Sequence, residues 1–178
     1  ASSALYFMRF TRGIEEILIT PFSYVEMLIG FVGSAVARAV MVACLILLVG
    51  LAFGAVTLVS PLGFLLYISA IAAIFAMLGI VVALWAESFE QLQVLNTFVI
   101  TPLTYLGGIF YSITMLPPLA ATITRYNPFF YFADGVRGSM TGYHEANTTV
   151  GFFVIGGLVV GLGIIVTTLF RRGWKIRS

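Results

Sequence analysis

Long apolar runs dominate this chain, and its charged residues fall between them. No side chain is charged between Arg38 and Glu87, and Ser60-Pro61-Leu62-Gly63 lies near the middle of that gap. A helix needs about 20 apolar residues to cross the hydrocarbon core of a bilayer. The gap therefore holds two crossings, and the Ser-Pro-Leu-Gly stretch supplies the turn. Further uncharged gaps run from Glu90 to Arg125 and from Glu145 to Arg171. The pattern predicts four spans, over about 35–59, 62–86, 92–111 and 150–170. The runs do not alternate polar and apolar residues, which argues for helices and against a β-barrel. Gly and Ala are frequent in them, as where helices pack closely in lipid.

One stretch breaks the pattern. Residues 101–119 read TPLTYLGGIFYSITMLPPL, and a half-apolar segment follows before the last span. Gly107-Gly108, Phe110-Tyr111 and Pro117-Pro118 make the stretch too broken to cross and too apolar for a plain loop. It predicts a dip into one face of the membrane, within a region covering 112–149.

Composition agrees. Apolar residues make up 61% of the chain and charged residues 9%, with a mean hydropathy of +1.09; soluble domains carry about 25% charge. Arg171, Arg172, Lys175 and Arg177 follow the last span, and Arg9, Arg12 and Arg38 precede or open the first. The positive-inside rule puts both ends in the cytoplasm, which an even number of spans allows. The turn at Ser60 and the 112–149 region then face outward, and the turn near Glu87 faces inward. Net charge is +2, mostly accounted for by topology, and no basic stripe points to nucleic acid. Cys44 is the single cysteine, so there is no disulfide framework. Ala1–Met8 is too short to span and reads as the end of an apolar helix, so upstream residues are expected.

Residues 9–23 read RFTRGIEEILITPFS. Ile14, Ile17 and Leu18 share one helical face, while Glu15 and Glu16 fall on the other side, in the first turn where the helix dipole favours acids. Gly13 and Pro21 bound a short amphipathic helix. It can lie on the membrane or dock on a partner. Two acids do not suit an anionic leaflet, where basic faces are attracted, and this favours docking.

With these elements in view, the chain resembles the permease subunits of type 2 ATP-binding-cassette transporters, the ABC-2 family, of the bacterial inner-membrane kind. Two motifs carry the resemblance. RGIEEILITP, Arg12 through Pro21, is similar to the family's cytoplasmic coupling helix. GGIFYSITMLPPL, with Tyr126-Asn127-Pro128 and Gly135-Val136-Arg137, is similar to its extracytoplasmic re-entrant hairpin. The resemblance implies an all-α transmembrane bundle in one domain, with the coupling helix at 9–23. It implies six helices in the family, of which the four spans here would be the third to sixth.

The resemblance also implies function. A homodimeric permease would pair with two ATPase subunits, which hold ATP and Mg, and would export an amphiphilic drug, lipid or glycan. Arg12, Gly13, Glu15, Glu16, Leu18, Thr20 and Pro21 would transmit ATPase motion, with Glu87 and Glu90 as a second contact. Gly107, Gly108, Phe110, Tyr111, Pro117, Asn127 and Pro128 would form an outer gate. The aromatic run Phe129–Phe132 would line that mouth or form an interfacial belt.

The remaining polar residues are read structurally. Arg38 lies at or just inside the inner edge of its span, to snorkel or to pair. Glu87 and Glu90 by themselves read as a solvated helix end. Asp134 and Arg137, spaced i, i+3, can pair along one helix face and fix the hairpin. His144, the lone histidine, has no ligand cluster around it for a metal. No catalytic triad, P-loop or clustered carboxylates are present, so the chain is read as a non-enzymatic transport subunit. A passive channel or membrane scaffold is the rival reading.

Overall fold

The computed structural model describes residues 24–86, 88–108 and 111–171. Among them all regular structure is helical. The elements are α1 (Tyr24–Ala52), α2 (Pro61–Trp85), α3 (Phe89–Leu95), a π-helical turn (Asn96–Ile100), α4 (Thr101–Tyr105), a 3-10 turn (Ile113–Met115), α5 (Pro118–Tyr126), α6 (Pro128–Thr141) and α7 (Thr148–Arg171). Among the described residues three helices are long and apolar enough to cross a membrane: Val25–Ala52, Pro61–Trp85 and Thr148–Arg171.

α2 is the central post. Its start is specified locally: Ser60 Oγ accepts from Gly63 N at 3.2 Å, and Pro61 occupies the first turn, where a missing N–H costs nothing. Met77, Ile80, Ala83 and Leu84 form a buried stripe with Val166 and Phe170 of α7, against which Met27, Leu28 and Phe31 of α1 pack. The start of α1 thus meets the end of α2, so α1 runs antiparallel to α2. The end of α7 meets the same end of α2, so α7 runs parallel to it. Outward faces are apolar, as a lipid-facing bundle requires; Leu45, Ile46, Leu48 and Val49 of α1 are all exposed.

α6 lies against the first half of α2, antiparallel to it. At one end, Val59 N donates to Met140 O and Ser60 N to Ser139 O, at 3.2 and 2.9 Å. At the other, Phe129 and Phe132 join Ile74 of α2 and Ile155 of α7 in a second core. The ring of Phe75 meets Phe129 and Phe132 edge-on, with centroids 5.5 and 6.2 Å apart, a favoured aromatic geometry. The start of α6 therefore sits about 20 Å along α2 from Pro61.

Two of the four predicted spans coincide with helices, 62–86 with α2 and 150–170 with α7. The other two differ. α1 begins at Tyr24 rather than 35 and ends at Ala52 rather than 59. A left-handed Gly54 (φ 64°) stops it: Ala55 N donates to Gly50 O and Gly54 N to Leu51 O, the paired bonds of a Schellman end. The apolar residues after Gly54 are loop. In place of a continuous span over 92–111, the chain has α3, the π turn and α4. Pro102 has no N–H for the Phe98 carbonyl and crowds the preceding turn, and the helix widens just upstream. Thr104 Oγ1 donates to the Ile100 carbonyl at 2.7 Å. The helical path over 89–105 is about 25 Å long.

Candidate functional site: the hairpin junction

α5 and α6 meet at a corner, Asn127. Pro128 starts α6, and Asn127 Oδ1 accepts from Phe129 N at 3.0 Å as its N-cap. Asn127 Nδ2 donates to the Leu103 carbonyl at 2.8 Å. One buried side chain thus caps α6 and ties it to α4. Beside this bond, Gly107 lies against Phe129 so closely that an added Cβ would come within 2.6 Å of the Phe129 Cβ. Gly108 has φ 72°, in the left-handed region that favours glycine. Its turn sends the chain out of α4 and presents its carbonyl to α6.

That carbonyl is held by a cation. Arg137 Nη2 donates to Gly108 O at 2.7 Å, and Arg137 Nη1 pairs with Glu145 Oε1 at 3.0 Å. Glu145 Oε2 accepts from Ile113 N at 2.9 Å. Glu145 N in turn donates to Asp134 Oδ1 at 2.6 Å, and Asp134 Oδ2 lies 3.1 Å from His144 Nδ1. The carboxylate-bearing side chains of Glu145 and Asp134 are only 7% and 5% exposed. A buried charge is tolerated only when paired and hydrogen-bonded, and every carboxylate oxygen here has a partner. The network joins α6, the 143–147 loop, the Gly107-Gly108 break and the 3-10 turn. Space for it comes from glycine: a Cβ on Gly138 would collide with the His144 ring, and one on Gly135 with the Tyr67 ring.

The predicted residues fall as follows. Arg12, Gly13, Glu15, Glu16, Leu18, Thr20, Pro21, Glu87 and Phe110 lie outside the described residues. Glu90 is in the first turn of α3 and exposed. Gly107, Gly108, Asn127 and Pro128 are brought together at the junction. Pro117 caps α5 and is exposed, and Tyr111 is half-buried beside the 3-10 turn. Phe129, Phe130 and Phe132 are buried, so they are core residues rather than an interfacial belt. Asp134 and Arg137 are not paired with each other: the 143–147 loop supplies a partner to each, and buries both better than a surface pair would. Arg38 is not near an end of its helix, because α1 starts fourteen residues before it. Among the described residues no group of three or more His, Cys, Asp or Glu could hold a metal. Sequence reasoning missed Glu145, Tyr67, Phe75 and Pro102. Only Pro102 carried a local signal, since proline inside an apolar run marks a broken helix.

A family model described as ABC-2 type transporter matches residues 1–141. The chain is 33% identical over 177 residues to the inner membrane transport permease YadH of Escherichia coli K12, covering 99% of this chain and 69% of that protein. It is 29% identical over 172 residues to nodulation protein J of Neorhizobium galegae, covering 93% of this chain and 63% of that protein. The nodulation protein J of Rhizobium leguminosarum bv. viciae is 32% identical over 98 residues, 55% of this chain and 38% of that protein. No solved structure matches the chain.

Proposed function

Because the chain belongs to the ABC-2 type transporter family, we propose that it is the permease of an ATP-driven exporter of an amphiphilic compound. That it is a multi-pass inner-membrane transport subunit follows from the family and its apolar helices. The observation that carries the finer reading is the corner between α5 and α6. That corner, Asn127, sits part-way down the bundle, and the Gly107-Gly108 break is clamped against it.

In this reading both chain ends are cytoplasmic and the Pro61 end of α2 faces outward. The hairpin then enters the membrane from outside and returns. Irregular backbone at that depth is tolerated only where protein or a cavity surrounds it. Gly107, Gly108, Asn127 and Pro128 close the outer mouth, with Tyr111 and Pro117 above them. Two permease copies pair with two ATPase subunits, which carry ATP and Mg. ATPase closure presses on the helix at 9–23, and the helices shift until the hairpin contacts part. The apolar inner surfaces, poor in polar ligands, suit an amphiphilic cargo.

The test is a reconstituted complex of permease and ATPase assayed for ATP hydrolysis and export together. Replacing Glu15 and Glu16 with Lys and Leu18 with Ala is expected to leave assembly intact and to cut export per ATP by about tenfold, a coupling loss near 1.4 kcal/mol. Unchanged coupling would remove the lever role. Export with no ATPase present would favour a passive channel.

A further inference from the structure

Arg38 sits in the wrong place for an anchoring residue. It has fourteen residues of α1 on either side. The antiparallel packing sets it beside Phe75 and Ala76 of α2, with which it shares a groove of about 570 Å³. That depth is about 21 Å along α2 from Pro61 and about 14 Å from Trp85. α2 is about 37 Å long and the hydrocarbon core about 30 Å thick, so Arg38 lies about 10 Å inside the core. A charge at this depth on a spanning helix is unfavourable unless it reaches a partner, and it calls for a counter-charge.

The chain supplies none among the described residues. Arg38 has no ion pair or hydrogen bond there. Asp134 and Glu145 are engaged in the junction. Glu26 is twelve residues away, about 18 Å along the helix, and Glu90 lies beyond the end of α2. A second copy of the chain brings the same described residues, and none of these is an acid at this depth. The rest of the groove is apolar: Ala39, Val42 and Ala43 face Ile71, Ala72 and Phe75. The alanines keep it open.

We propose that this groove holds an anionic phospholipid. Its phosphate meets the Arg38 guanidinium, and one acyl chain lies along the alanine-lined cleft towards Ile46 and Ile68. A guanidinium presents forked donors that match phosphate oxygens. Basic pockets between spanning helices take anionic head groups by the same logic. A water-borne phosphate would have to abandon hydration for an apolar cleft, whereas a lipid arrives with its tail already apolar. The lipid comes from the leaflet that holds the Trp85 end, towards which the arginine can snorkel. The site rests on α1 and α2 lying in the bilayer and does not rest on the export mechanism.

The test uses the full-length permease in phosphatidylcholine nanodiscs with and without phosphatidylglycerol, released for native mass spectrometry. Wild type is expected to retain one phosphatidylglycerol more than Arg38→Gln, with about tenfold weaker retention in the variant, the scale of one charged hydrogen bond. Arg38→Lys keeps part of it. Ala72→Phe, which fills the cleft but spares the charge, loses it. Thermal melts identify any variant that fails to fold, and Arg38→Lys keeps the test alive if Arg38→Gln does. Equal retention by wild type and Arg38→Gln, equal retention of phosphatidylcholine, or no retention by wild type each overturns the proposal. None of these results touches ATP coupling, which has its own assay.

Discussion

Glu145 accepts from a side chain and from a distant backbone N–H with its two oxygens, while its own N–H donates to a second carboxylate. Truncating one member of such a buried set leaves the others charged and unpaired, which costs about 3–5 kcal/mol. Glu145→Ala and Arg137→Ala are each expected to destabilise the protein by about 3 kcal/mol, and the double variant by little more than either alone. A double-mutant cycle on thermal unfolding in detergent checks this; additive losses would mean the two act separately. Little of this was legible beforehand. Asp134 and Arg137 have the spacing of a local helix pair, and spacing is all a sequence displays. Their actual partners arrive from a loop that returns only because Gly138 leaves room for the His144 ring.

At the scale of elements, ends were legible wherever a side chain makes them. Ser60-Pro61 and Asn127-Pro128 both combine a capping acceptor with a proline in the first turn and both start helices, the first at the turn read from the sequence. The end of α1 was not legible, because its terminator is one glycine inside an apolar run that continues as loop. Asn127 has a second task that no capping rule anticipates, its bond to Leu103 O. Asn127→Asp keeps the cap but loses that donor, and Asn127→Ala loses both. The expected costs are about 1 kcal/mol for the aspartate and about 2 kcal/mol for alanine. Comparing their unfolding midpoints separates capping from tying; equal effects would show that the tie contributes nothing.

For the whole molecule, the arrangement follows from α2. It packs on α1, α6 and α7, and hydropathy alone identified it along with α7. What hydropathy could not show is that α6, the least apolar of the longer helices, is packed as deeply as they are. Its polar residues are spent inward on the junction rather than outward on water. Orientation has its own check. In a Cys44→Ala background, Tyr143→Cys marks the hairpin end and Glu90→Cys the Trp85 end. A membrane-impermeant maleimide added to intact cells is expected to label Tyr143→Cys and spare Glu90→Cys. The reverse pattern would invert the proposed topology and move the hairpin to the cytoplasmic face.

The π turn at Asn96–Ile100 gives this architecture one further property. A wide turn stores one residue more than the α-helix it interrupts. The path leading to the Gly107-Gly108 break therefore carries a single residue of slack, placed between α3 and a following half tied down at Leu103 and Gly108. If that slack migrates along the segment, every side chain it passes rotates by about 100° while both ends stay fixed. The 89–105 segment can thus change which residues face the bundle without lengthening, tilting or letting go of its ties to α6.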